Sequence, residues 1–97
     1  MSLTVFITGA TSGIGKATAE FLAKKNYRLI LCGRRKERLS QLQNDLGRVT
    51  ELITLQFDVS IKKEVFSAIE SLPENFRQID VLINNAGYSS SKNFLEY

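Results

Sequence analysis

The stretch Thr8-Gly9-Ala10-Thr11-Ser12-Gly13-Ile14-Gly15 limits what this chain can fold into more than any other. The apolar run Leu3-Thr4-Val5-Phe6-Ile7 leads into it and reads as a buried strand. A helical pattern leaves it, with Ile14, Ala17, Thr18, Phe21 and Leu22 at i, i+3, i+4, i+7 and i+8. The glycines therefore sit where a strand turns into a helix. Gly9 permits a sharp turn because it carries no Cβ. Gly13 and Gly15 let backbone approach a ligand and let the helix pack close to a sheet. The helix start adds unpaired N–H groups and the positive end of a dipole, which together suit a phosphate. Gly9, Thr11, Ser12, Gly13, Ile14 and Gly15 are thus the expected contacts of a dinucleotide-binding turn. The alternative is that the glycines serve only a tight strand-to-helix connection.

The remainder of the chain repeats the alternation of strand and helix. The first helix is expected over 13–25, with Lys24 and Lys25 in its last turn and Asn26 as a left-handed stop. Tyr27–Cys32 reads as a second strand. A second helix follows, with Leu39, Leu42 and Leu46 on one face and Gly47 at its end. Leu52–Phe57 is the third strand, closed by Asp58-Val59. Ser60 is the expected N-cap of a third helix whose face is Val65, Ala68, Ile69 and Leu72, and which Pro73 ends. Asp80–Asn84 is a fourth strand, followed by Asn85-Ala86-Gly87. Continuous apolar strands imply helices on both faces. Right-handed crossovers then predict a Rossmann-like, doubly wound parallel sheet in the order β-α-β-α-β-α-β. Ligands of such sheets bind beyond the carboxyl ends of the strands. The glycine turn, Gly33-Arg34-Arg35, Asp58-Val59 and Asn85-Ala86-Gly87 all fall there.

The second of these ends bears on which dinucleotide is bound. An acidic residue about 20 positions after the glycine turn usually grips the ribose 2′-hydroxyl of NAD. Counting from Gly13 reaches Gly33, and Arg34 and Arg35 come next. A guanidinium pairs with a 2′-phosphate that a carboxylate would repel. NADP is therefore favoured over NAD. Asp58 has two readings. It is either a strand-ending Asp beside a helix start, or an acceptor for the adenine amino group with the Val59 N–H facing the ring.

Composition excludes several classes. The chain has 97 residues, 43% hydrophobic and 24% charged, which suits one small folded unit. Its net charge of +3 comes without a basic block, so nucleic acid is not an expected partner. One cysteine, Cys32, and no histidine leave no disulfide and no His/Cys metal cluster within the chain. No apolar run approaches the ~18 residues of a membrane span. The N-terminus runs straight into the first strand, so no leader is expected and the cytoplasm is the default.

Three motifs together, Thr8-Gly9-x-x-x-Gly13-Ile14-Gly15, Asp58-Val59 and Asn84-Asn85-Ala86-Gly87, resemble the short-chain dehydrogenase/reductase family in order and spacing. Within it, Gly33–Leu39 and Leu72–Phe76 with Ile79-Asp80 are similar to NADP-dependent 3-hydroxy acid dehydrogenases, including the serine-oxidising kind. The resemblance implies NADP as cofactor and hydride exchange with a small carbonyl or secondary alcohol. It puts Ser12 and Ile14 on the pyrophosphate and Arg34 or Arg35 on the 2′-phosphate. Asp58 and Val59 would hold adenine, and Asn85, Ala86 and Gly87 would line the cofactor. It also implies a homo-oligomer at full length. The family's chemistry belongs to a serine, a Tyr-x-x-x-Lys pair and an asparagine in the second half of its fold. Tyr88 and Lys92 match that spacing, but they directly follow Gly87 and span three serines, which are indifferent helix formers. They read as loop, with the catalytic pair as the alternative. No catalytic residue is otherwise expected. Residues 1–97 thus read as the dinucleotide-binding part of a single-domain reductase, apparently incomplete, with an exposed fourth strand. A catalytically silent nucleotide-binding or assembly module is the competing hypothesis.

Overall fold

Each of the four apolar runs forms a strand, and all pair in parallel. The structure, a computed structural model, describes residues 3–85. The strands are β1 (Thr4–Thr8), β2 (Arg28–Gly33), β3 (Leu52–Gln56) and β4 (Val81–Asn84), in the sheet order β3-β2-β1-β4. Helices α1 (Gly13–Lys24), α2 (Lys36–Leu46) and α3 (Lys62–Glu70) connect them, and a 3-10 turn (Glu74–Phe76) precedes β4. Val5 pairs with Leu29 on one side and with Val81 on the other, so β1 is central among the described residues. From β1 the chain winds outward through β2 and β3, then crosses to the far side of β1. The change of winding falls between β1 and β4, where open α/β sheets form their ligand crevice.

Strand parity divides the core. Val5, Ile7, Leu29 and Leu31 face α1 and α2, meeting Ala19, Ala23, Leu39, Leu42 and Leu46. Phe6, Ile30 and Cys32 face the other way, onto Val65, Leu72 and Phe76. Both sheet faces are covered, which is why β1 is buried at every position. Asn26 takes the expected left-handed conformation, with φ 67°. The amino end of the sheet is pinned by side chains. Asp80 Oδ2 accepts from the Thr4 N–H at 2.8 Å, which sets β4 beside β1. The Arg28 guanidinium donates to the Asn75 carbonyl, stacks 4.8 Å from the Phe76 ring and reaches Glu51 at 3.2 Å.

Three expectations need correction. The buried stripe of α1 is Gly15, Ala19 and Ala23, whereas Ile14 and Phe21 are 77% and 60% exposed and Ala17 is exposed. Of the expected face, Leu22 packs against the core; along the Gly15, Ala19 and Ala23 stripe the helix lies so close to the sheet that only small residues fit. Ser60 is not the N-cap of α3. Ile61 holds that position, and Ser60 donates both its N–H and its hydroxyl to Asp58 Oδ1. Ile69 faces outward, leaving Val65, Ala68 and Leu72 to meet the sheet. The fourth strand is the expected sheet edge, but it is only four residues long.

Candidate functional site

At the carboxyl end of β1 the chain turns through Gly9, whose φ of 61° suits glycine. The Ala10 N–H donates to the Cys32 carbonyl at 3.0 Å, which ties the turn to the end of β2. The Gly15 and Lys16 N–H groups both close on the Ser12 carbonyl, at 3.0 and 3.3 Å, and start α1. Gly15 has no room for a side chain, since a Cβ there would lie 1.9 Å from the Gly9 oxygen. Gly13 differs. Its φ is +48°, yet an added Cβ would meet nothing within 4 Å. Packing does not demand glycine at 13; the backbone conformation does, and the space in front of it is open.

That space suits a phosphate. The Ser12 hydroxyl makes no capping bond, and the first turn of α1 holds no acidic residue. The dipole and the leading N–H groups are therefore not neutralised by the helix's own side chains. An open cradle at Gly13, N–H donors at the helix start and no acidic residue in the first turn fit a pyrophosphate.

Gly33 ends β2 beneath this turn. A Cβ there would approach Thr11 Cγ2 to 3.1 Å, so Thr11 and Gly33 are neighbours. Arg34 and Arg35 follow, both exposed. Arg35 is the N-cap position of α2, where a cation gains nothing from the helix dipole. The Arg34 backbone is fixed by Gln56 Nε2, which donates to its carbonyl at 3.2 Å. Cys32, one residue before Gly33, is a core thiol; burial pushes its pKa far up and leaves it inert.

Asp58 lies just past β3. Its Oδ1 accepts from the Ser60 hydroxyl at 2.7 Å and the Ser60 N–H at 2.9 Å. These bonds, with the charge of Arg34, hold its pKa below the usual carboxylate range, so it is ionised at neutral pH. The Asp58 N–H donates to Glu64 Oε1 at 2.9 Å. Ser60 and Glu64 thus orient Asp58, a role not apparent in the sequence; an acid three residues into a helix was the available signal. The Val59 side chain packs on the core beside Phe57.

Thr8 joins the fourth strand end to the first. Its hydroxyl donates to Asn84 Oδ1 at 2.7 Å and accepts from the Asn85 N–H at 3.2 Å. Asn85 Nδ2 is buried without a hydrogen-bond acceptor among the described residues, so it retains a donor at the crevice. The expected site residues from 9 to 59 and Asn85 therefore all lie at the carboxyl ends of the strands. Ala86, Gly87, Tyr88 and Lys92 lie outside the described residues. Among those described, no group of His, Cys, Asp and Glu could hold a metal, and no helix is long and apolar enough to cross a membrane.

Fold, glycine turn and strand ends together define a Rossmann-like parallel sheet, and comparison with known proteins agrees. The short chain dehydrogenase family model matches residues 3–97, and the chain belongs to that family. It is 48% identical over 87 residues to sulfoacetaldehyde reductase 2 of Chromohalobacter salexigens, covering 90% of this chain and 34% of that protein. Serine 3-dehydrogenase of Rhizobium radiobacter is 45% identical, with the same coverage of each chain. Among solved structures, L-sorbose reductase of Gluconobacter frateurii complexed with NADPH and L-sorbose superposes with a TM-score of 0.82 at 33% identity. That match covers 89% of this chain and 34% of the reductase. The chain spans about a third of the length of these relatives.

Proposed function

We propose that this chain is the NADP-binding part of a single-domain oxidoreductase that moves a hydride between NADP(H) and a small carbonyl or secondary alcohol, such as a 3-hydroxy acid. The observation that carries the cofactor is the end of β2. Gly33 offers no carboxylate to a ribose, and Arg34 and Arg35 stand exposed beside the glycine turn. The substrate class rests on relatives named for a 3-hydroxy acid, serine, and for an aldehyde, sulfoacetaldehyde.

NADP, when bound, supplies the hydride donor or acceptor. The chain's own residues bind and orient. Ser12, Gly13 and Ile14 would receive the pyrophosphate at the start of α1, with Gly9, Thr11 and Gly15 shaping the turn that presents them. Arg34 and Arg35 would meet the 2′-phosphate. Asp58, held ionised by Ser60, would accept from the adenine amino group, and the Val59 N–H would complete that contact. Asn85, Ala86 and Gly87 would line the crevice. The general acid–base residues would come from sequence outside this third of the fold. In this reading the complete protein works in the cytoplasm as a homo-oligomer.

The test is equilibrium binding of NADPH and NADH to the protein and to an Arg34→Ala, Arg35→Ala variant. The double variant should lose at least tenfold in NADPH affinity, about 1.4 kcal/mol, while NADH affinity stays nearly unchanged. Equal affinity of the unmodified protein for both cofactors would sink the NADP assignment. Oxidation of NADPH by the full-length protein should then be screened with 3-oxo acids and short aldehydes.

A further inference from the structure

Arg34 and Arg35 are not the only cations beside the glycine turn. A cleft of about 310 Å3 opens between α1 and α2, lined by Thr11, Lys16, Arg38, Gln41 and Leu42. Lys16 stands one turn into α1 and Arg38 one turn into α2, so two helices bring a cation each to one cleft. No carboxylate lines it, and neither cation is ion-paired among the described residues. Asp45, a turn further along α2, accepts from Gln41 Nε2 at 3.1 Å and is not part of the lining. Leu42 is buried and supplies an apolar wall.

The cleft is continuous with the dinucleotide turn. Thr11 lines it and is also the neighbour of Gly33, immediately before Arg34. Its remaining polar lining is a hydroxyl and an amide, both able to donate. Two cations lining one cleft beside neutral donors, with no carboxylate among them, suit a tetrahedral oxyanion.

We infer that Lys16 and Arg38 are specificity-determining residues that hold the 2′-phosphate of NADP from the α1–α2 side, in addition to Arg34 and Arg35. The inference rests on the NADP reading above. It differs from it by assigning part of the discrimination to side chains within two helices rather than to the loop after β2. Arg38, with its planar fork, carries a bidentate contact; Lys16 adds a point charge. Both side chains are exposed, so neutralising either leaves the packing of the sheet intact.

The experiment measures binding of NADPH, NADH, 2′,5′-ADP and 5′-AMP to the full-length protein and to Lys16→Gln, Arg38→Gln and Arg38→Lys, with far-UV circular dichroism as the folding control. Lys16→Gln and Arg38→Gln should each weaken NADPH and 2′,5′-ADP by about tenfold, as expected for one charge-assisted contact. NADH and 5′-AMP should stay within about twofold, and Arg38→Lys should restore part of the loss. Inorganic phosphate should compete with NADPH in the unmodified protein and less well in Arg38→Gln. Unchanged NADPH affinity in both Gln variants, with Arg34→Ala, Arg35→Ala still deleterious, overturns this inference and leaves the NADP reading standing. Parallel loss of NADH also overturns it, because the cations would then act on something common to both cofactors. Phosphate that binds without competing with NADPH would make the cleft a separate anion site and likewise refute it. A protein with no preference for NADPH would remove both readings together.

Discussion

Replacing Gly15 with alanine separates two physical effects of opposite sign. Helix propensity alone favours alanine by about 1 kcal/mol inside a helix. Packing opposes it. The new Cβ would lie 1.9 Å from the Gly9 oxygen and 2.8 Å from the Gly9 carbon. Ordinary contact needs about 1.5 Å more, and the obstacle is backbone rather than a side chain that can swing aside. The turn has little freedom to move, since Thr8 is within β1 and Ala10 is bonded to Cys32 at 3.0 Å. So α1 must retreat, and Ala19 and Ala23, both fully buried, lose their contact with the sheet. Overpacking costs about 1–3 kcal/mol where side chains can adjust, and the fixed carbonyl puts this case at or above the top of that range. A net loss of about 3 kcal/mol is a large share of the ~5–15 kcal/mol that stabilises a small domain. Equilibrium urea unfolding followed by circular dichroism should show the midpoint falling by about 2 M at an unchanged slope. A neutral or stabilising Gly15→Ala would mean that propensity wins and that α1 does not approach the turn this closely.

Gly13→Val should behave differently. Its Cβ would meet no protein atom within 4 Å, so the cost to folding is about 1–2 kcal/mol from the left-handed φ, while binding of NADPH and of NADH should both be lost by equilibrium titration. Normal cofactor binding in a folded Gly13→Val protein would show that the open space at 13 is not the phosphate cradle. Thr8→Val removes the hydroxyl that joins Asn84 and Asn85 to β1, while the Asn85 N–H keeps the Thr8 carbonyl at 3.3 Å; chemical denaturation should show a loss of about 1 kcal/mol, as for one net hydrogen bond.

Some of this was legible in the sequence, and the reasons are specific. The strands were readable because a sheet covered on both faces needs apolar residues at nearly every position, as in Leu29-Ile30-Leu31-Cys32. Leu39, Leu42 and Leu46 identified the buried face of α2 because that helix meets the sheet through large side chains. Ser60 misled because two acceptors compete locally. Asp58 draws both Ser60 donors into a tight turn, and Glu64 instead bonds the Asp58 N–H. The cleft holding Lys16 and Arg38 was not readable at all. It depends on how α1 and α2 are rotated about their axes, and periodicity turns Ile14 and Phe21 inward where, of the large residues in that pattern, Leu22 packs on the core.

The wrong face of α1 and the glycine turn have one cause. A helix that begins where its first residues must sit under a phosphate has to start against the turn, not a side chain's width away from it. Gly15 permits that approach, with no room even for a methyl. Once the first turn is so close, positions one and two turns further along the same face, Ala19 and Ala23, are constrained to be small as well. Large apolar residues are then displaced from the stripe: Leu22 packs on the core from its flank, Ile14 stands exposed beside the turn, and Phe21 is exposed with the Lys25 ammonium 5.5 Å from its ring. A hydrophobic-period reading weights residues by size and so selects the face that packing rejects. The correct reading follows from the motif itself: where glycine marks close approach at the start of a helix, the buried stripe continues at i+4 and i+8 in the smallest residues.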